Sequence, residues 1–85
     1  MKLWLESGEE GEAKAIEGNT LTLLSPRAFA PGSPIRFSVV LDDRKRSFEG
    51  RTIGSMRVAE GSFEVRLRFV NLRRSDRELL VSRLG

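Results

Sequence analysis

The chain has 85 residues, enough for one domain whose core hides roughly 60–65% of the unfolded surface, with no room for a second. It contains no cysteine and no histidine, which removes disulfides, thiolate and imidazole metal sites and the usual catalytic triads together. Residues 1–25 hold two lysines against five glutamates, a balance of −3, so the remaining sixty residues carry +6 of the overall +3, and twelve of the fifteen basic residues are arginine. Arginine is a planar fork matched to phosphate and carboxylate, whereas lysine is a point charge.

Lys2 to Glu6 alternates weakly, with Trp4 as its aromatic residue, and the polar stretch Ser7-Gly8-Glu9-Glu10-Gly11 turns the chain into a second strand over 12–17. Gly18-Asn19 is a tight turn of the primed type, because both residues tolerate positive φ, and it leads into a strand over 20–24. These three strands form a meander.

The next stretch, Ser25 to Pro34, carries three prolines and a glycine. Each proline biases the residue before it toward extended geometry, and Ala30-Pro31-Gly32-Ser33 has proline and glycine where a type II turn wants them. A loop of fixed shape is predicted. Phe29, the large apolar residue inside it, is expected to plug one end of the strand assembly, the alternative being contact with a partner.

From Ile35 to Leu41 the alternation is clear, with Ile35, Phe37, Val39 and Leu41 on one side and Arg36, Ser38 and Val40 on the other. Asp42 to Arg46 is predicted to be a solvated loop. A long strand follows over 47–58, with Phe48, Gly50, Thr52, Gly54, Met56 and Val58 inward by parity; the two inward glycines suit a sharply bent strand facing large side chains. Ala59 to Ser62 turns the chain into a strand over 62–70, whose inward set is Phe63, Val65, Leu67 and Phe69. Ser75 to Glu78 has the spacing of a capping box, so a short helix over 76–84 is predicted, with Leu80 and Leu84 closing one end of the fold. The whole reads as an all-β protein: a small six-stranded antiparallel barrel with a short C-terminal helix, one domain over 1–85.

Hairpin pairing of the last three strands gives a candidate site. If Val58 faces Phe63, then Arg57 meets Glu64, Ser55 meets Arg66, Ile53 meets Arg68 and Arg51 meets Val70. If Leu41 faces Phe48, then Arg36 meets Ile53 and Ser38 meets Arg51. The outer face then gathers Arg36, Arg51, Arg66 and Arg68 around Ile53, a patch for an anion or a protein partner, with the exposed side of Trp4 as a further anchor. For each residue the plainer alternative is a solvated sheet face.

The hydrophobic spacing Leu21, Leu23, Phe29, Gly32, Ile35, Phe37, then Gly50-Arg51, Val65-Arg66-Leu67-Arg68-Phe69 and Leu79-Leu80, resembles that of the PilZ domain over roughly residues 12 to 84. The resemblance implies a small bacterial barrel of the kind that receives cyclic di-GMP. That family holds its ligand with Arg-x-x-x-Arg before the barrel and Asp/Asn-x-Ser-x-x-Gly entering an early strand. Here the first twenty-five residues hold no arginine, and the second motif falls on Ala15, Glu17 and Thr20, none of which matches. An Arg-x-x-x-Arg spacing does occur at Arg73 and Arg77, but after the last strand.

The function expected is therefore a PilZ-like adaptor in cyclic di-GMP-related signalling that contacts another protein, without a cofactor and without catalysis. The alternatives are an atypical cyclic di-GMP receptor using the same arginines, and a nucleic-acid-binding barrel, for which only Trp4 is left outward to stack on bases. Asp42-Asp43 beside Arg44-Lys45-Arg46 reads as a self-neutralised turn rather than a cation site. Short apolar runs such as Val39-Val40-Leu41 lead to the expectation of a cytoplasmic protein with no membrane span. The Lys2–Glu6 strand, as a barrel edge, offers pairing to a second copy as a homodimer.

Overall fold

Alternating apolar and polar side chains fold the chain, described over residues 1–84 by a computed structural model, into six antiparallel strands and one helix. The strands are β1 (Lys2–Leu5), β2 (Glu10–Glu17), β3 (Thr20–Ser25), β4 (Pro34–Leu41), β5 (Arg44–Ala59) and β6 (Ser62–Phe69), followed by α1 (Arg74–Leu84). They close into a barrel in the order β1-β2-β3-β6-β5-β4, with β4 pairing back to β1. Both halves are local hairpins, and the two long-range pairings, β3 with β6 and β1 with β4, join them.

The inward residues form one core in which Leu3, Leu21, Leu23, Ile35, Val39, Leu41, Val65 and Leu67 are all essentially inaccessible. Phe37, Phe48 and Phe69 meet in a triangle, with ring centroids 5.7, 6.1 and 5.8 Å apart. Tilted and edge-on contacts at this spacing add about 0.5–1.5 kcal/mol per pair beyond the burial itself.

The two barrel ends are closed differently. At one end the proline loop turns as expected: Ser33 donates its N–H to the Ala30 carbonyl at 3.0 Å, and Gly32 sits at φ 83°, the left-handed position a type II turn requires. Phe29 packs against the core, and the Ser55 hydroxyl both accepts from the Phe29 N–H (2.9 Å) and donates to the Phe29 carbonyl (2.7 Å). At the other end α1 buries Leu80 fully, with Leu79 and Leu84 packed beside it. Arg46 to Asp76 at 2.7 Å, Arg77 Nε to the Gly18 carbonyl at 3.1 Å and Arg83 to Asp42 at 3.0 Å tie the helix to the strand ends beneath it.

Several expectations are corrected. Asp42 to Arg46 is not a loop: only Asp42 (φ 52°) and Asp43 (φ 63°) turn the chain, and Leu41 faces Arg44. Positive φ at both central residues is the type I′ hairpin, which aspartate tolerates and which matches the twist of the flanking strands. The Gly18-Asn19 turn, by contrast, is of the primed type as expected, with positive φ at Gly18 alone, the II′ pattern. The helix begins two residues earlier than the capping box implies, with the Arg77 N–H bonded to the Arg73 carbonyl at 2.9 Å, so Ser75 lies inside the first turn and not at its cap. Finally, β1 is hydrogen-bonded on both sides, to β2 and to β4, so it is no open edge for a second copy.

β5 departs most from simple alternation. Sixteen extended residues reach about 50 Å, whereas the molecule is 33 Å along its longest axis, so the strand has to bend. Its pairing breaks at two register shifts, between Thr52 and Gly54 and between Arg57 and Ala59, where bulges bend a strand. A Cβ on Gly50 would stand 2.6 Å from Leu67 Cδ1 and 2.8 Å from the Arg68 carbonyl oxygen. The expected close approach is real there, but Gly54 meets nothing within 4 Å. Beyond the first shift the parity is reset, which turns Met56 and Val58 outward against expectation, leaving them 60% and 48% exposed.

Candidate functional site

The outward residues of β5, β6 and β3 build an arginine face. Arg51 stands directly opposite Arg68, Arg68 opposite Thr20, and Arg66 opposite both Gly54 and Thr22. Directly opposed side chains leave their strands about 5 Å apart at Cβ, so Arg51 and Arg68 are like charges in the least favourable cross-strand position. Arg51 Nη1 donates to the Gly32 carbonyl at 3.2 Å, anchoring it to the proline turn. Among the described residues none of the three forms an ion pair. Ile53, displaced by the first register shift, has no cross-strand partner and is 40% exposed beside them.

Arg36 does not belong to this face. It was expected opposite Ile53, but it lies opposite Glu49, with Nη1 3.6 Å from Glu6 and Nε 3.7 Å from Glu49, so its own charge is offset by carboxylates on both sides. The other expected partners change as well: Ser38 faces Ser47, Arg66 faces Gly54, Arg68 faces Arg51, and Arg57 faces Phe63. On β5–β6 the two register shifts change the partners, whereas on β4–β5 the physical reason is turn length. The tight Asp42-Asp43 turn moves the β4–β5 pairing by four residues, an even number, so within that pair of strands the inward residues stay inward while every neighbour changes.

Sequence reasoning missed a second feature, a groove of about 700 Å³ on the other side of the barrel. β6 stops at Phe69 while β5 runs on to Arg44, and the departing segment Val70 to Arg73 faces the outer surface of β1, β4 and β5 across this gap. Trp4, Ser38 and Ser47 form one outward row on those strands, Trp4 opposite Ser38 and Ser38 opposite Ser47. The alternation of each strand signals that these residues face outward, but nothing local signals that β1 lies against β4. Arg73, which the sequence pairs with Arg77, borders this groove, while Arg77 is engaged with the β2–β3 turn.

No group of three or more carboxylate side chains placed to hold a metal occurs among the described residues, and Asp42 is paired with Arg83. No described helix is long and apolar enough to cross a membrane. Fold and surface together define a class: a small closed antiparallel β-barrel, capped by one helix, presenting arginines that no neighbouring carboxylate neutralises. No protein-family model matches the chain, and no curated protein or solved structure is significantly similar to it.

Proposed function

We propose that the chain is a non-catalytic interaction module, a cytoplasmic PilZ-like adaptor that docks an acidic protein surface on the face formed by Arg51, Arg66 and Arg68 around Ile53. The observation that carries this reading is the absence of any ion pair to these three guanidiniums, although nine glutamates and three aspartates are available in the chain. A solvated sheet face normally intersperses its charges, because like charges directly opposite each other are destabilising. An exposed isoleucine ringed by arginines has the composition of an interface centre, where arginine and apolar anchors concentrate binding energy and rim charges steer approach. The spacing that resembles the PilZ domain supports a role in cyclic di-GMP-related bacterial signalling. The mismatched ligand motifs at Ala15, Glu17 and Thr20 favour protein contact over nucleotide binding.

The test compares wild type with the Arg66→Glu/Arg68→Glu double variant, both shown folded by circular dichroism, in cross-linking capture from the source organism. A partner held by wild type and lost by the variant is the expected result, and equal capture by both refutes the assignment of this face. A calorimetric titration with cyclic di-GMP separates the second reading: a flat trace is expected, and saturable binding abolished by the same double variant replaces the adaptor with a nucleotide receptor.

A further inference from the structure

We propose that the groove between the β1–β4–β5 face and the Val70–Arg73 segment binds a small aromatic acid, a planar ring carrying a phosphate or carboxylate group. At about 700 Å³ it is in the size range of small-molecule sites. Its position is independent of the arginine face.

Three features converge in it. The first is Trp4, half-buried on the outer face, the single tryptophan of the chain. The second is the pair Ser38 and Ser47 beside it: two small side chains on adjacent strands that leave a shallow floor next to the indole. Ser38 is only 8% exposed although its parity is outward, and neither hydroxyl has a hydrogen-bond partner among the described residues.

The third is charge. The groove's carboxylates are already engaged, Glu6 and Glu49 with Arg36 and Asp76 with Arg46, while Lys45 and Arg73 on its walls have no ion-pair partner among the described residues. With Arg46 counted beside Asp76, four cations (Arg36, Lys45, Arg46 and Arg73) stand against three carboxylates (Glu6, Glu49 and Asp76), a balance of +1, and the two cations free of ion pairs are one point charge and one planar fork. A ring set against Trp4 covers the serine floor and gains aromatic contact. An anion on that ring lies between Lys45 and Arg73, with the serine hydroxyls as further donors. A bare anion lacks the stacking, and a neutral ring lacks the cations.

Trp4 reports on its own site, since all tryptophan fluorescence arises there. Wild type and the Lys45→Glu/Arg73→Glu double variant, both exposed positions, are titrated with phenyl phosphate, benzoate, phenol and inorganic phosphate, with calorimetry in parallel. The expected result is a saturable change in Trp4 emission with phenyl phosphate or benzoate, at least about fivefold weaker in the double variant, with phenol and inorganic phosphate both weaker than the aromatic acids. The proposal is overturned if neither aromatic acid binds, or if the double variant binds them as well as wild type. Phenol or inorganic phosphate binding as tightly, or heat without any change at Trp4, overturns it too.

Discussion

Replacing Arg68 with glutamate is expected to stabilise the fold while it abolishes docking. Arg68 is exposed, and its closest charged neighbour by register is Arg51 on β5. Two guanidiniums on directly opposed residues, with their heads splayed to about 7 Å, repel by about 0.6–1.2 kcal/mol for an effective dielectric between that of water and half of it. At physiological ionic strength the Debye length of about 8 Å leaves somewhat under half of that. Arg68→Glu removes the repulsion and substitutes an attraction of similar size, so the net gain is about 0.5–1 kcal/mol, or roughly 2–8 °C in Tm for a domain of this length. Arg51 keeps its bond to the Gly32 carbonyl, so the proline turn is not disturbed. Thermal unfolding is followed by circular dichroism at about 0.02 M and about 1 M salt, where screening is respectively weak and nearly complete. The variant should be the more stable at low salt, and the difference should vanish at high salt. A variant no more stable than wild type at low salt, or a gain that persists undiminished at high salt, refutes the reasoning that this face is held under like-charge repulsion.

Two further outcomes follow from the strand that bends. Gly50→Ala is expected to destabilise by about 1–3 kcal/mol, since its Cβ meets a backbone oxygen as well as a leucine methyl, whereas Gly54→Ala, with open space at that position, should be neutral or stabilising by up to about 1 kcal/mol; urea unfolding of the pair checks both, and equal behaviour sinks the close-approach argument. Ser55→Ala removes both hydrogen bonds to the Phe29 backbone. The loss should be about 1–2 kcal/mol, and faster amide exchange at Phe29 with little change in the core strands is the signature that the proline loop has come loose.

The arginine face also shows what a small barrel can concede. The core is complete without it, a single cluster of buried apolar side chains running from Leu3 to Leu80. The outer surface is thus free to carry unfavourable neighbours such as Arg51 and Arg68, at a cost of a fraction of the stability that the core provides. The Trp4 row is the reverse case, an outward position in which a large aromatic half-buries itself over small neighbours and leaves room at its side.

The sequence by itself determined the class of fold and the contents of the core. Strand periodicity is local: in β4 and β6 each side chain's parity decides its face, whatever strand lies alongside, so Ile35, Phe37, Val39, Leu41, Val65, Leu67 and Phe69 were legible as inward. The proline turn with Gly32, and Leu80 as the end plug, were legible for the same reason, since a turn residue or a helical face needs no distant partner to be recognised. Tertiary structure alone decided who stands beside whom. A shift of the β4–β5 register by four residues leaves every parity intact, so no burial argument distinguishes Arg36 beside Ile53 from Arg36 beside Glu49. Which it is depends on how few residues the Asp42-Asp43 turn uses. The bulge after Thr52 resets parity because a strand longer than its barrel must bend, which is why Met56 and Val58 face outward. The Trp4 groove exists only because β1 closes the barrel against β4, a contact between residues more than thirty positions apart. Parity is set by the geometry of one chain, whereas adjacency is set by the length of turns and the closure of the sheet, and both candidate sites are matters of adjacency.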